Sequence, residues 1–210
     1  MTTYPLRPTA RFRALVFGLL LGLAGLAALA PTPAAAQILT NMKEVGVLQT
    51  SFGKIVIEFY SDTAPKTVNT FKRNLRSGIY EGSLIHRIIP GVAIIGGDPF
   101  TKDADPSNDG AGGFGPPLPN EFSAAHKNVR GAVGALRKVE SANPDKQWNG
   151  FQFYIALGDE PALDASEHTV FGRVIEGMDI VERIANSGRD EATGAPKDRI
   201  DFKKAFIEAR

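Results

Sequence analysis

The sequence predicts a mainly β domain, with about eight strands in a mostly antiparallel arrangement and two capping helices. Short runs of β-branched and aromatic residues alternate with turns rich in Gly and Pro. Apolar residues recur at helical spacing in two segments, and no repeated βαβ pattern is present. An antiparallel barrel with helices at its ends fits these observations.

These patterns place the elements along the chain. Strands are predicted over residues 45–50, 54–60, 129–136, 151–157, 168–174 and 200–207, with two more on either side of Pro90-Gly91. Helices are predicted before Gly78 and before Gly188, because glycine commonly follows a helix C-terminus. Pro65 suits the first turn of the first helix, and Asp62 or Thr63 is expected to cap its free amides.

Residues 1–36 have the three parts of a secretory signal peptide. Three arginines precede an apolar segment at residues 14–30, and Ala34-Ala35-Ala36 follows as a cleavage site of small residues. We predict cleavage after Ala36, which leaves residues 37–210 as one domain. The alternative is an uncleaved membrane anchor, but the apolar segment is short for a membrane span.

Composition limits the function of the remaining domain. Residues 1–36 contain three arginines and no acidic residue, so their removal changes the formal net charge from +1 to −2. No clustered basic face suggests a nucleic-acid partner. The chain has no cysteine, which excludes disulfides, thiol catalysis and cysteine metal sites. Together with the signal peptide, the composition favours the periplasm, with no membrane attachment after cleavage. We expect a monomer, although the sequence itself does not determine the oligomeric state.

The most informative stretch is Ile85–Asp98, with the sequence IHRIIPGVAIIGGD. Arg87 stands in an apolar run that Pro90-Gly91 interrupts with a turn and Gly96-Gly97 ends. Burying a guanidinium alone is unfavourable, so Arg87 is either paired with an acidic group or placed to act on a ligand. Its neighbour His86 is expected to point to the opposite side, as successive strand residues do.

This stretch resembles the signature of the cyclophilin-type peptidyl-prolyl isomerases. Residues 86–91, His-Arg-Ile-Ile-Pro-Gly, and residues 96–98, Gly-Gly-Asp, match that signature in identity and spacing. The likeness extends over roughly residues 45–208. It implies a closed eight-stranded antiparallel β-barrel capped by two α-helices, with no cofactor and no metal.

The resemblance implies isomerisation of Xaa-Pro bonds in polypeptides, and through it faster folding of exported proteins. Amide resonance opposes this rotation with a barrier of about 20 kcal/mol. In the twisted state the prolyl nitrogen regains its lone pair, and a guanidinium that donates to it or to the substrate carbonyl favours that state. We predict that Arg87 has this role, and a structural ion pair is the alternative.

The resemblance also implies four substrate-binding residues. Gln152 is expected to hydrogen-bond the substrate backbone. Tyr154 is expected to form the floor of a proline pocket, where the family usually has phenylalanine. Leu163 is expected to line this pocket and His168 to close its rim. Considered alone, His168 would be a strand-end histidine with a structural role.

Several positions depart from the family pattern. They are Val92, Ala93, Ile95, Leu136 and Ala162. Compared with the family pattern, these residues leave the expected site with fewer aromatic side chains in its wall and with one polar contact less. The sequence therefore leaves open the catalytic rate, the residue preferred before proline and inhibition by cyclosporin.

Three other functions compete with isomerisation as interpretations of the sequence. A cyclophilin-fold module could hold proline-containing segments with little catalysis, because equal binding of both isomers gives affinity without rate. The glycines of residues 110–115 resemble a phosphate-binding loop, but the segment lacks the lysine and the following helix of such loops. A hydrolase is disfavoured because no Gly-x-Ser-x-Gly elbow is present.

Overall fold

The computed structural model of the chain describes residues 42–210. Its strands are β1 Glu44–Thr50, β2 Gly53–Phe59, β3 Leu84–Ile89, β4 Ala93–Asp98, β5 Ala132–Ala135, β6 Phe153–Ala156, β7 Val170–Glu176 and β8 Phe202–Ala209. Its α-helices are α1 Pro65–Arg76, α2 Pro161–Ala165 and α3 Met178–Ala185. The predicted signal peptide at residues 1–36 lies outside the described residues.

The eight strands form one sheet, in the order β3-β4-β6-β5-β7-β2-β1-β8. Every neighbouring pair is antiparallel. The prediction of a mainly β, antiparallel fold is therefore confirmed. The strands predicted over residues 45–50 and 54–60 pair as a hairpin, which turns through residues 51–52 with the Thr50 hydroxyl accepting from the amides of Phe52 and Gly53 at 3.1 Å.

The sheet is curled, but it does not close into a continuous barrel. Between its end strands β3 and β8 there is no ladder. An isolated bridge joins Leu84 to Asp201, the residue before β8, and the Ile85 amide beside it donates to the Ile200 carbonyl at 2.9 Å. Further along β3 the Ile88 amide donates to the Gly194 carbonyl at 2.8 Å. The predicted closed eight-stranded barrel is wrong at this seam, because β8 begins only at Phe202 and an irregular loop covers the edge of β3.

The helices differ from the prediction in number and in capping. The described residues contain three α-helices rather than two, because α2 has only five residues and is too short to show an apolar stripe. The N-terminus of α1 is capped by Glu121, whose carboxylate accepts from the amides of Lys66 at 3.0 Å and Thr67 at 2.8 Å. The two caps predicted in the preceding turn make no such bond. No helix within residues 42–210 is long and apolar enough to cross a bilayer.

The main hydrophobic core lies on one face of the curled sheet. Five aromatic rings contact one another there, with centroids 5.0–5.9 Å apart: Phe71, Tyr80, Phe153, Phe171 and Phe202. From β6, Phe153 and Ile155 enter this core, whereas Tyr154 belongs to a separate apolar cluster. Both faces of β6 are therefore covered, and the second face carries the candidate site.

Candidate active site

A row of residues crosses four neighbouring strands on the face opposite the main core. Arg87 on β3 lies opposite Ile95 on β4, and Ile95 lies opposite Tyr154 on β6. Tyr154 in turn lies opposite Gly134 on β5. Since adjacent strands are about 4.8 Å apart, the backbones at Arg87 and Tyr154 are about 10 Å apart. The register thus brings the predicted catalytic arginine and the predicted pocket tyrosine onto one surface.

A β-bulge in β3 directs two neighbouring side chains to the same cavity. Ile85 pairs with Gly96 and Arg87 pairs with Ile95, so His86 is an extra residue on β3. Both His86 and Arg87 line the cavity. The prediction that His86 points away from Arg87 is therefore wrong, because the bulge interrupts the strand alternation on which it rested.

Arg87 is exposed and unpaired within the described part of the chain. None of the ion pairs formed by residues 42–210 includes it. The structural ion pair that the sequence left as an alternative is thus not found among these residues. The guanidinium has five N–H donors, and they remain free to meet a ligand.

The cavity beside Arg87 has a volume of about 850 Å³. One wall is the glycine-rich loop at residues 110–113, and another is the loop at residues 137–147. Thr193, from the segment that covers the edge of β3, contributes a third side. Arg87 and Gln152 both line the cavity, so these two predicted site residues are brought together.

Gln152 supports one wall of the cavity. It is 3% exposed, and its Nε2 donates to the carbonyls of Gly110 at 3.0 Å and Gly112 at 2.8 Å. Its Oε1 has no hydrogen-bond partner among the described residues. Gln152 therefore holds the glycine-rich loop, and its bond to the substrate backbone stays a prediction.

Asp98 fixes the same loop from the end of β4. Its side chain is fully buried, and the carboxylate accepts from the amides of Gly110 at 2.6 Å, Gly112 at 2.9 Å and Phe100 at 2.8 Å. A Cβ at Gly112 would lie 1.5 Å from Asp98 Oδ1, so only glycine fits there. Sequence analysis considered residues 96–98 only as part of a family signature and so missed this contact. The signal was a Gly-Gly-Asp motif followed by a second glycine-rich segment.

An apolar cluster adjoins the cavity. Its buried members are Ala93, Ile95 and Tyr154, and half-buried Ile89, Val92, Leu136 and Leu163 surround them. Leu163 reaches the cluster from α2. Ile95 and Leu136 also line the cavity, so one ligand can contact both spaces. Its half-buried members offer the apolar surface that a proline ring requires.

The hydroxyl of Tyr154 is bonded on the side away from this cluster. It donates to Asn128 Oδ1 at 2.5 Å, and Asn128 Nδ2 donates to Asp164 Oδ1 at 2.8 Å. Burial raises the pKa of Tyr154, so the hydroxyl remains a donor. A Cβ at Gly134 would lie 2.0 Å from Tyr154 Cζ. The absence of a side chain at Gly134 therefore makes room for this ring.

His168 lies edge-on to Tyr154, with 6.1 Å between the ring centroids. Its Nδ1 is 3.0 Å from the hydroxyl oxygen of Ser166. Burial, and then the nearby Arg137 cation, lower the pKa of His168 to about 4. The ring is therefore neutral at pH 7, which suits a residue beside an apolar pocket.

The predicted site residues thus form two adjoining groups. Arg87 and Gln152 line the cavity, whereas Tyr154, Leu163 and His168 meet in or beside the apolar cluster. Within residues 42–210, no group of three or more His, Asp and Glu side chains is arranged to hold a metal ion. The arrangement provides a cation next to an apolar surface, with no nucleophile between them.

Comparison with known proteins agrees with this geometry. A sequence model of the family described as cyclophilin type peptidyl-prolyl cis-trans isomerase/CLD matches residues 46–205. The chain belongs to the cyclophilin-type peptidyl-prolyl cis-trans isomerase family. The resemblance seen in residues 86–98 and the isomerase activity that it implies are thereby confirmed.

Two curated relatives and one solved structure illustrate how close this cyclophilin is to others. It is 36% identical over 166 residues to peptidyl-prolyl cis-trans isomerase-like 1 of Gibberella zeae, covering 77% of this chain and 93% of that protein. It is 38% identical over 168 residues to a probable peptidyl-prolyl cis-trans isomerase of Brucella abortus, covering 78% and 82% of the two chains. A Cryptosporidium parvum cyclophilin type isomerase, crystallised in the presence of the dipeptide Ala-Pro, superposes with a TM-score of 0.69 at 26% identity, covering 79% and 99%.

Sequence reasoning missed one further residue of this cyclophilin site and gave no partner for a second. Asn128 precedes β5 in a loop and carries no recognisable pattern, so nothing in the sequence marked it as the partner of Tyr154. Gly134 did leave a signal, because a glycine inside a strand indicates close approach of another group. The sequence did not show that the group lying against Gly134 is the ring of Tyr154.

Proposed function

We propose that this cyclophilin isomerises Xaa-Pro bonds by means of Arg87, with the proline ring held in the apolar cluster around Tyr154. The rotation breaks no bond, so the site needs neither a nucleophile nor a metal. It must hold the proline and favour the twisted amide over the planar one. A hydrogen bond from the guanidinium to the prolyl nitrogen or the substrate carbonyl is stronger in the twisted state, and it therefore lowers the barrier.

The observation that carries the proposal is the row from Arg87 to Tyr154. An unpaired guanidinium lies on the same surface as a buried aromatic ring, with Ile95 between them. Arg87 at one end of this row supplies the hydrogen-bond donor, and the apolar cluster at the other end supplies the binding surface for the proline ring. The Ala-Pro dipeptide present with the Cryptosporidium relative supports proline-containing polypeptides as the substrate class.

A cis-to-trans assay on a panel of Xaa-Pro peptides tests this proposal. We expect the protein to accelerate isomerisation of at least one peptide in proportion to its concentration. The competing function is a binding module for proline-containing segments, motivated by the altered residues Val92, Ala93 and Ile95. NMR titration that detects peptide binding, combined with no acceleration of any peptide, would favour that module and contradict isomerisation.

Export is a second part of the proposal. The basic, apolar and small-residue parts of residues 1–36 support a cleaved signal peptide, a periplasmic location and a role in folding exported proteins. We expect mass spectrometry of the protein, recovered from the periplasmic fraction of its bacterial host, to show Gln37 as the N-terminal residue. A periplasmic protein that still begins at Met1, or one found only inside the cytoplasm, would contradict this.

A further inference from the structure

Positive charge predominates in the cavity beside Arg87. Among the described residues that line it, Arg87, Arg137 and Lys138 are cations, and Asp109 is the one acid. Arg87 and Lys138 are exposed, and neither takes part in an ion pair of residues 42–210. Burial, and then the neighbouring Asp98 carboxylate, raise the pKa of Asp109, so its environment disfavours the one negative charge.

Arg137 is the least ordinary of these cations. Its side chain is 3% exposed, yet its Nε has no hydrogen-bond partner among the described residues. Nη2 donates to the Ser166 carbonyl and pairs at 3.6 Å with the Glu140 carboxylate, which is 53% exposed, and Nη1 donates to the Lys138 carbonyl at 3.4 Å. Because the Glu140 carboxylate is exposed to water, it offsets little of the positive charge of Arg137. The buried guanidinium of Arg137 interacts with nearby charges through a medium of lower dielectric constant than water. The charge of Arg137 is therefore felt in the cavity that it lines.

The cavity and the apolar cluster are within reach of one peptide. Ile95 and Leu136 belong to the apolar cluster and also line the cavity, so the two adjoin. The row from Tyr154 to Arg87 spans about 10 Å, a distance that about three residues of extended chain cover. A proline ring beside Tyr154 therefore places the side chain of a nearby residue among the three cations.

We infer that this cyclophilin prefers substrates with an acidic side chain within three residues of the isomerised proline, bound in the cavity between Arg87, Arg137 and Lys138. The inference rests on the proposed function, because it assigns part of the substrate to that site. A carboxylate is the matching group, since guanidinium N–H donors pair with it in a planar fork. Arg137 and Lys138 then act as specificity residues.

Matched peptides test this preference in the isomerase assay. Each peptide carries a single Glu, Gln or Lys at one of the three positions before or after the proline, in an otherwise constant sequence. We expect kcat/KM for Glu to exceed that for Gln by about threefold to tenfold at one or more positions, with Lys lowest. The ratio should fall as salt is raised, because ions screen the cavity charges.

Substitutions of the cavity cations identify the source of the preference. Lys138→Gln and Arg137→Gln should each move the Glu-to-Gln ratio towards one, whereas Arg137→Lys should retain most of it. Lys203→Gln, which removes an exposed charge on β8, is the matched control and should leave the ratio unchanged. Circular dichroism verifies folding, and if Arg137→Gln is unfolded, the Lys138→Gln and Arg137→Lys pair decides.

The outcomes separate the inference from the proposed function. Equal kcat/KM for Glu and Gln at every position, in an enzyme that accelerates these peptides, overturns the acidic preference and leaves isomerisation intact. A Glu preference that survives Lys138→Gln and Arg137→Gln unchanged overturns the assignment to this cavity. Failure to accelerate any peptide overturns both proposals.

Discussion

Replacing Arg87 with alanine is expected to lower kcat/KM for Xaa-Pro isomerisation by about 100- to 1000-fold, the usual loss when one preorganised transition-state donor is removed. The loss should appear mainly in kcat. The guanidinium bonds the twisted amide more strongly than the planar one, and uniform binding of substrate depends on the apolar cluster instead. Stability should change little, because Arg87 is exposed and forms no ion pair with residues 42–210.

Two further variants sharpen this experiment. Arg87→Lys keeps the charge and loses the planar fork, so it should recover only part of the activity. Arg73→Ala removes an exposed arginine from α1 and should match the unaltered protein. If Arg87→Ala keeps activity within twofold of the unaltered protein, Arg87 is not the catalytic residue. Peptide binding measured for each variant separates loss of affinity from loss of rate.

Replacing Asp98 with alanine is expected to lower the free energy of unfolding by about 3–5 kcal/mol, since each buried donor left without its acceptor costs about 1–3 kcal/mol. Three backbone amides, those of Phe100, Gly110 and Gly112, would be left without their acceptor. Activity should fall as well. The glycine-rich loop would lose one of its anchors, and two others, Gln152 and Asn149, border the same cavity.

Urea denaturation measures the first effect, and the cis-to-trans assay measures the second. Asp98→Asn keeps the size of the side chain and one carbonyl oxygen, so its loss of stability should be intermediate. Asp103→Ala is the matched control, because Asp103 is exposed in the same region and bonds only within its own loop. An Asp98→Ala protein as stable as that control would show that the buried carboxylate does not hold the loop. Faster hydrogen exchange at Gly110 and Gly112 would locate the change.

The strands could be predicted from the sequence because each carries its own pattern and its own turn. β6 is the clearest case, since alternation placed Phe153 and Ile155 on one face and Tyr154 on the other, as the structure has them. Closure could not be predicted in the same way. Closure of the barrel depends on where β8 begins relative to β3. The start of β8 at Phe202 is not indicated by the local amino-acid composition.

The residues of the candidate site could be predicted from the sequence, but the directions of their side chains could be predicted less well. Arg87, Gln152, Tyr154, Leu163 and His168 all lie on or beside one surface, but their contacts follow from long-range geometry. The bulge at His86 is a one-residue insertion that no periodicity reveals. The bonds of Gln152 depend on a loop forty residues away in sequence, and no local rule connects the two.

The ladder between β1 and β8 joins the first described strand to the last, from Glu44 opposite Ala209 to Thr50 opposite Phe202. A nascent chain therefore cannot complete this sheet until residues 202–209 have left the ribosome. Such non-local pairing slows folding, since a long loop must close before the contacts form. Until then β1 presents an unpaired edge that can recruit strands from other chains. A protein proposed to assist the folding of others thus has a late and vulnerable step in its own folding.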